Sequence, residues 1–482
     1  MNSIKEPAAK VGVFGIGLKA YWAQFPGLKE RLERYQRHVE EQIGRWAKVF
    51  SAGLVDSAPE ALAAGQRFSE ERVDLIFCYV GTYATSSQVL PAVQEPDVPV
   101  VVLNLQPVAA LDYENTDTGE WLANCSACCV PEISNVFGRS GVAFNVVSGM
   151  LYDDEAAWGE VERWCQAANA VRTLQSGRFG FLGHTYPGML DMYSDFTMHH
   201  AQLGLHVEVL EMDDLKDRVD AATDGAVAGK IEETYATFEV DESADRKELD
   251  WAARVAVGLD NLVEDFGLAA LAYYYRGTND SVYERLGAGL ILGNSLLTAR
   301  GIPASGEGDL KNAVAMKVMD ALGAGGSYTE FYAMDFNENF ILMGHDGPGH
   351  VAISDRKPTL RGLGLYHGKA GHGVSVEFNV RTGPITIFAV TQTRDGRLKM
   401  IAAEGESIPG PTLRIGNTNS RLRFSLPPAA FMNAWCEQGP THHCALGVGH
   451  NAGTLRKVCR LLNLEFVEVG KATHDPLAGD LA

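Results

Sequence analysis

Two apolar runs indicate the fold class of this chain: residues 73–80 read VDLIFCYV, and residues 98–105 read VPVVVLNL. Each run is short and apolar, as a buried strand is. A third run at residues 11–14 (VGVF) precedes residues 28–50, in which apolar side chains recur at steps of three and four and predict a helix. Strands that alternate with helices are typical of a parallel sheet. We therefore predict an α/β domain over residues 1–174.

A second alternation of strands and helices begins near residue 175. Residues 176–183 and 207–210 predict strands, residues 241–265 predict a helix, and residues 268–275 predict another strand. The pattern indicates a central α/β domain over residues 175–325, so that two Rossmann-like domains follow one another along the chain.

The pattern changes from about residue 326, where short alternating segments are separated by Gly, Pro and Asp-Gly turns. Residues 374–380 and 385–390 predict strands, and Asp395-Gly396 is a strong hairpin signal. The sequence predicts a β-rich C-terminal domain over residues 326–482, barrel-like or else a sandwich, with a terminal helix at about residues 451–462.

Charge and composition exclude several classes of partner. The 482 residues carry 41 basic and 61 acidic side chains, and the formal net charge is −20. Such a charge repels phosphate backbones and anionic lipid, which argues against nucleic-acid and membrane partners. No apolar run reaches the roughly 18 residues of a membrane helix, and the polar start MNSIKEPAAK is unlike a signal peptide. These features and the eight cysteines lead us to expect a cytoplasmic protein.

Two glutamates have local sequences that suit ligand binding. Glu307 lies between two glycines just before a helix that Asp309 is placed to cap, and glycines allow close approach to a ligand. Glu330 shares one face of a strand with Tyr328 and Tyr332, an aromatic setting in which a carboxylate gains from a nearby cation. On local evidence alone, each could equally be a glutamate that faces solvent.

Histidines supply the second half of a possible site. His345 follows an apolar strand and opens a glycine-rich loop, where its side chain can reach into a site. His442 and His443 are adjacent and point in different directions, so at most one of them normally binds a metal. Two carboxylates and two imidazoles form a mixed oxygen and nitrogen set that suits Mn²⁺ or a similar divalent cation, such as Co²⁺ or Mg²⁺. Any of these histidines could also be an ordinary loop residue.

These segments resemble the L-arabinose isomerase family and, more distantly, the L-fucose isomerases. Residues 306–311 (GEGDLK) resemble the family motif G-E-G-D-W-K, and residues 327–332 (SYTEFY) are similar to its segment ending in E-D-Y. Residues 344–345 (GH) resemble its S-H pair, and residues 441–444 (THHC) its H-H-T stretch. The motifs occur in the same order along the chain.

The resemblance implies a metal-dependent aldose–ketose isomerase of homo-oligomeric assembly, a tetramer or a hexamer. It implies metal ligation and acid–base roles for Glu307 and Glu330, and metal ligation for His345 and His443, with His442 as the alternative ligand. Family members place an aromatic residue beside the sugar, and their sites lie between subunits. The resemblance thereby implies four substrate contacts, which are His442, Tyr275, Cys125 and, from a neighbouring subunit, Tyr21. Cys125 lies in residues 124–127 (NCSA), which resemble the family's N-Q-S-A.

Two departures from the family leave the sugar open. After His345 the family continues with M-L-E, whereas residues 346–350 read DGPGH here. The glutamine and histidine expected around Cys125 and Cys128 are also missing. The expected substrate is therefore a pentose or hexose, isomerised through an enediolate, and arabinose itself is not assigned.

Two other functions remain open from the sequence. One is a metal-dependent lyase or epimerase that acts on a sugar acid or polyol. The residues that could then bind a carboxylate are His350, His367, Lys369 and His372. The other is a non-catalytic sugar-binding protein built on the two α/β layers, which would need neither histidines nor metal.

Overall fold

The computed structural model describes residues 8–276, 281–363 and 373–471. The described residues form two compact units, one within residues 8–172 and one within residues 173–471. The division into three domains at residues 174 and 325 stays a prediction. As predicted, the fold is mixed α/β with two parallel sheets and a β-rich C-terminal part, and this part forms a closed barrel.

The unit within residues 8–172 contains a five-stranded parallel sheet. Its strands are β1 (Lys10–Ile16), β2 (Lys48–Val55), β3 (Leu75–Tyr79), β4 (Val100–Gln106) and β5 (Phe144–Met150). The helices of this part of the chain are α1 (Leu28–Ile43), α2 (Ala58–Glu71), α3 (Pro91–Gln94), α4 (Thr118–Leu122), α5 (Val130–Arg139) and α6 (Glu155–Ser176). The strand order is β2-β1-β3-β4-β5, and the predicted strands β1, β3 and β4 form its buried centre.

The helix predicted for residues 28–50 is shorter than expected. It ends at Ile43, and the chain turns at Gly44, a residue that weakens a helix. Phe50 lies instead in β2, which was not predicted, and its ring packs under the ammonium groups of Lys10 and Lys48. The apolar spacing continued past the turn because residues of the following strand happened to match the helical period.

A four-stranded parallel sheet lies in the first half of the second unit. The strands from this half are β6 (Arg178–Gly183), β7 (His206–Leu210), β8 (Glu239–Val240), β9 (Ala270–Tyr274) and β10 (Ala304–Ser305). Its helices are α7 (Phe196–Leu203), α8 (Met212–Asp220), α9 (Asp224–Thr237), α10 (Arg246–Phe266), α11 (Val282–Ala288), α12 (Leu290–Ala299) and α13 (Leu310–Ala321). The sheet order is β10-β9-β6-β7. No helix among the described residues is long and apolar enough to cross a bilayer.

A closed, six-stranded antiparallel barrel forms most of the C-terminal half. The remaining strands are β11 (Gly325–Asp335), β12 (Phe340–His345), β13 (Thr359–Gly362), β14 (Val374–Glu377), β15 (Gly383–Gln392), β16 (Leu398–Ile408), β17 (Thr418–Phe424), β18 (His443–Val448) and β19 (Glu465–Glu468). The barrel order is β15-β18-β11-β12-β17-β16, and β16 closes it by pairing with β15 across the predicted Asp-Gly turn.

Smaller elements complete this half. Helices α14 (Pro428–Cys436) and α15 (Ala452–Leu461) follow the barrel strands, and α15 is the predicted terminal helix. Helix α15 is followed by one further strand, β19, which pairs in parallel with β16. Strand β8 pairs with β13 in a three-stranded sheet, so this sheet joins the two halves of the second unit.

Candidate metal centre

Glu307 lies in the turn between β10 and α13. Its backbone φ is +60°, a left-handed conformation that residues other than glycine seldom adopt. The next residue, Gly308, also has a positive φ of +72°, and a Cβ there would lie 2.6 Å from the carbonyl oxygen of His184. Asp309 caps α13 as predicted, since its Oδ1 accepts a hydrogen bond from the backbone N–H of Asn312 at 3.0 Å. The packing around this turn therefore holds Glu307 in a strained conformation of the kind found at functional sites.

Three neighbouring barrel strands carry the other predicted ligands. Glu330 on β11 lies opposite His443 on β18 and opposite Gly344 on β12. His345 is the last residue of β12, and its backbone N–H donates to the Thr418 hydroxyl at 3.0 Å. Antiparallel pairing thus brings residues that are far apart in sequence to one part of the barrel.

The four predicted ligands meet around a common region. His345 Nε2 lies 3.2 Å from His443 Nε2, and His443 Nε2 lies 3.5 Å from Glu307 Oε2. Three overlapping groups among the described residues have ligand atoms within 4.8 Å of one another: Glu307, His345 and His443; Glu330, His442 and His443; and Glu330, His345 and Asp346. Glu307 and Glu330 each occur in groups with His345 and with His443, although no single group contains both glutamates.

The protonation of His443 follows from its buried neighbour. His443 Nδ1 lies 3.0 Å from Asp309 Oδ2, and both side chains are fully buried. Because a carboxylate can only accept, Nδ1 carries the proton and the lone pair of Nε2 is left to face Glu307 and His345. The Tyr328 hydroxyl lies 2.8 Å from Nε2 and 3.3 Å from Nδ1. Because these two distances are similar, the hydroxyl lies over the ring edge and not on the lone-pair axis of Nε2.

This set of atoms fits a divalent cation. The Oε2 atom of Glu307 is buried and has no hydrogen-bond partner among the residues that the structure describes. It faces the lone pair of His443 Nε2, and two such acceptors repel each other unless a cation lies between them. Two ligands that bind one ion at right angles with bonds of about 2.1 Å lie about 3 Å apart, close to the observed Nε2–Nε2 distance. The carboxylate behind His443 is the usual second partner of a metal-binding imidazole.

His442 differs from His443 in charge and exposure. Its side chain is 35% exposed, its Nδ1 lies 2.7 Å from Asp191 Oδ2, and its Nε2 lies 3.7 Å from Glu307 Oε2. Burial lowers the pKa of His442, but the hydrogen bond to Asp191 and the nearby negative charge of Glu307 outweigh it and raise the pKa to about 10. His443 is fully buried beside Asp309, whereas the more exposed His442 pairs through Nδ1 with Asp191, and this geometry favours His443 as the ligand.

A narrow cleft opens beside these ligands. Glu307, His345 and Asp346 line its polar side. The rest of its wall is largely aromatic, with Tyr186, Tyr273, Tyr274, Tyr275, Tyr328, Leu290 and Pro348. Tyr275, predicted to lie beside the substrate, is part of this wall. Burial raises the pKa of Tyr273 and Tyr274, so both hydroxyls remain protonated donors.

Two predicted substrate residues lie in the other compact unit. Tyr21 ends a short 3-10 turn, Lys19–Tyr21, and Cys125 follows α4. Burial raises the pKa of Tyr21, and the thiol of Cys125 raises it further. Their role towards the substrate stays a prediction.

Of the four residues proposed for carboxylate binding, the structure describes His350 alone, and His350 does not line the cleft. His350 is buried, lies 4.0 Å from Asp320 Oδ1, and is not among the residues that line the cleft. The other three, His367, Lys369 and His372, lie outside the described residues.

Three acidic residues take part in the centre without having been predicted to do so. Asp309 was recognised only as a helix cap, and Asp191 lies in a short 3-10 turn, Leu190–Met192, that gives no sequence signal. Asp346 was visible as a departure from the family pattern next to His345, and it lies 3.2 Å from His345 Nδ1.

Two domain models of one known family match this chain. The model of the L-arabinose isomerase central domain matches residues 194–325, and that of the C-terminal domain matches residues 325–465, so that together they cover more than half of the chain.

Similar proteins cover most of the chain at low identity. The L-arabinose isomerase of Pectobacterium carotovorum subsp. carotovorum is 22% identical over 93% of this chain and 91% of its own length. Those of Nocardioides sp. and Herpetosiphon aurantiacus are 25% and 23% identical, over 83% and 95% of this chain and 80% and 96% of their own lengths. A solved periplasmic solute-binding protein from Actinobacillus succinogenes, 13% identical and covering 55% of this chain and 78% of its own, has a TM-score of 0.17, too low to bear on fold or function. The matched domains and relatives place the chain in the L-arabinose isomerase family of aldose–ketose isomerases.

Proposed function

We propose that this protein isomerises a pentose or hexose with the help of a divalent cation held by Glu307, Glu330, His345 and His443. The observation that carries the proposal is the convergence of His345 Nε2, His443 Nε2 and the buried Glu307 Oε2 beside an aromatic cleft. The mixed ligand set favours Mn²⁺, with Co²⁺ or Mg²⁺ as alternatives.

The reaction moves a carbonyl between C1 and C2 of the open-chain sugar. It requires the removal of a proton from the carbon next to the carbonyl and its return to the neighbouring carbon, through an enediolate. A bound divalent cation would polarise the carbonyl and stabilise the negative charge on the two oxygens. One of Glu307 and Glu330 removes and returns the carbon-bound proton, and the other exchanges protons with the sugar oxygens.

The remaining residues of the centre prepare these groups. His345 and His443 fix the cation, and Asp309 keeps His443 in the tautomer that binds it. His442 presents an N–H near Glu307, where it can donate to a sugar oxygen. The tyrosines of the cleft wall exclude water from the charged groups, which strengthens their interactions with the substrate.

Several features of the family remain proposals for this chain. We propose a homo-oligomer, tetrameric or hexameric, that works in the cytoplasm. The sugar is left as a pentose or hexose, because the residues after His345 depart from the family pattern in the wall of the cleft.

The test is a panel of aldoses and ketoses assayed with Mn²⁺ before and after chelation, on the wild type and two variants. Glu307→Gln and Glu330→Gln should each abolish turnover while far-UV circular dichroism and the melting temperature stay near wild type. Glu338→Gln, at an exposed position of the β11–β12 turn, serves as the matched control and should retain activity. Near-normal turnover in both glutamate variants, or full activity after chelation, would refute the proposed roles. Loss of water or epimerisation of a sugar acid, without aldose–ketose exchange, would favour the lyase or epimerase instead.

A further inference from the structure

Asp191 reaches the metal centre from a turn that is distant in the sequence. It lies in the 3-10 turn Leu190–Met192, 251 residues before His442. One oxygen of its carboxylate, Oδ2, accepts two hydrogen bonds from His442, one from the backbone N–H at 3.0 Å and one from Nδ1 at 2.7 Å. Because a carboxylate can only accept, Nδ1 carries a proton in this contact. The two bonds together fix the main chain of His442 and the rotation of its ring.

The ring that Asp191 holds lies next to the proposed ligands. Its Nε2 atom is 3.7 Å from Oε2 of Glu307, and its centroid is 3.8 Å from the centroid of the His443 ring. The side chain of His442 is 35% exposed, so packing alone leaves the ring room to turn. The bond from Nδ1 to Asp191 therefore determines that Nε2 points towards Glu307.

The turn that carries Asp191 is itself fixed from the side of the metal centre. The side chain of Lys311 is buried, and its Nζ donates to the backbone carbonyl of Tyr193 at 2.8 Å and to the hydroxyl of the next residue at 3.2 Å. A buried ammonium group is costly unless its protons are bonded, so these contacts hold the turn in one place. Lys311 lies in the first turn of α13, two residues after Asp309, whose carboxylate accepts from His443. The start of α13 thus holds the partner of one histidine directly and the partner of the other through Lys311.

We infer that Asp191 is a positioning residue that fixes the imidazole of His442 beside Glu307 and affects the reaction only through that ring. The inference rests on the proposed function, in which His442 donates to a sugar oxygen. The two bonds from Asp191 run to His442, which is not one of the four proposed metal ligands. Loss of Asp191 should therefore impair the reaction of the sugar and leave the binding of the cation unchanged.

A double-mutant cycle on the full-length chain, assayed with Mn²⁺ and the sugar that the panel identifies, tests the route of the effect. Asp191→Ala should lower kcat/KM by about 10–100-fold, because displacement of a reacting group by about 1 Å can cost about 100-fold. The same substitution in a His442→Ala background should change kcat/KM by less than about two-fold, since its effect passes through the missing ring. Asp191→Asn should keep most of the activity, because its amide oxygen can accept both bonds. Asp265→Ala, which removes an exposed carboxylate of α10, is the matched control and should leave kcat/KM unchanged.

Two further readouts do not depend on turnover. In crystal structures of the metal-free variants, the His442 ring should turn away from Glu307 in Asp191→Ala and keep its place in Asp191→Asn. The dissociation constant of Mn²⁺, measured by competition with a chelator, should be the same in both variants as in wild type, because His443 is the proposed ligand. The melting temperature of the metal-free protein controls for folding and should change little, since the Asp191 side chain is 37% exposed.

Four results would overturn the inference. Losses of kcat/KM that add in the double variant would show that Asp191 acts by a route other than His442. A His442 ring that keeps its place in Asp191→Ala would show that the carboxylate does not position it, whether or not a sugar is turned over. Weaker Mn²⁺ binding in Asp191→Ala would make Asp191 part of the metal set. A loss of activity in Asp191→Asn equal to that in Asp191→Ala would assign the effect to charge and not to position.

The variant His443→Ala separates this inference from the proposed function. If His443→Ala binds Mn²⁺ as tightly as wild type, or if wild type isomerises no sugar, the proposed function fails, and the crystal structures still decide whether Asp191 holds His442. If wild type isomerises a sugar and Asp191→Ala does so equally well, only the role of Asp191 fails.

Discussion

Replacing Asp309 should separate the stability of the fold from the binding of the cation. The buried carboxylate has two tasks: Oδ1 accepts from the backbone N–H of Asn312 at the start of α13, and Oδ2 accepts from His443 Nδ1. Asp309→Ala loses both. The lost helix cap costs about 1 kcal/mol, and a buried donor left without an acceptor costs about 1–3 kcal/mol. The free energy of unfolding of the metal-free protein should therefore fall by about 2–4 kcal/mol.

Asp309→Asn should have the opposite profile. The amide has one oxygen, which the N–H of Asn312 requires, so the NH₂ group faces His443. Nδ1 must then accept, and the ring proton moves to Nε2, the atom proposed to bind the cation. We expect stability within about 1 kcal/mol of wild type, because asparagine is an equally good cap. Metal affinity should fall by about 100-fold or more, since the carboxylate is lost and the tautomer is wrong.

Denaturant unfolding of the metal-free protein and chelator competition measure the two effects separately. In Asp309→Ala the ring of His443 can still adopt either tautomer, so this variant should lose less metal affinity than Asp309→Asn does. The reasoning is refuted if the asparagine variant binds Mn²⁺ as tightly as wild type. It is equally refuted if the asparagine variant is destabilised as much as the alanine variant.

Two further predictions concern residues near this centre. Burial lowers the pKa of His199 from 6.5 to about 4. As the pH falls, the unfolded chain therefore takes up a proton at this histidine before the folded chain does. The free energy of unfolding should decrease between about pH 6.5 and pH 4, by about 1.4 kcal/mol at pH 5.5. Melting temperatures of the metal-free protein between pH 7.5 and 5.5 should show this loss. The slope of melting temperature against pH should be smaller in His199→Asn, which keeps a donor for the Asp195 carbonyl. An unchanged slope in this variant would contradict the assignment to His199. An alanine in the left-handed conformation costs about 1–2 kcal/mol. Gly308→Ala should lower the free energy of unfolding by more than this, because the new Cβ would lie 2.6 Å from a backbone atom. Gly323→Ala has the same φ of +72° with open space around it, so equal losses in denaturant unfolding of the two variants would count against the steric argument.

The sequence predicted those parts of the fold in which local pattern and tertiary environment agree. The strands β1, β3, β4, β6 and β9 are short apolar runs whose burial follows from their composition. The prediction was wrong at Phe50, since only the turn at Gly44 separates the helix from the strand that contains it. Barrel closure could not be read from the sequence, because it depends on which strands pair over long distances.

The candidate centre was predictable to the extent that its residues lie in recognisable motifs. Glu307, Glu330, His345 and His443 were each weak signals, and only the order of the motifs joined them. The contact between His442 and Asp191 spans 251 residues and has no local signature. The second role of Asp309 was hidden by its first, because a helix cap is a sufficient explanation for an aspartate at that position.

The pairing of β11 with β12 and β18 has a consequence for how the centre comes into existence. Side chains alternate between the two faces of a strand, so a slip of one residue between β11 and β18 would turn Glu330 away from both histidines. The positions of the ligands thus depend directly on strand register. The ligand set can form only after β11 and β18 have paired. A cation that binds the finished set would favour the correctly aligned barrel over every shifted one, by an amount that grows with its free concentration.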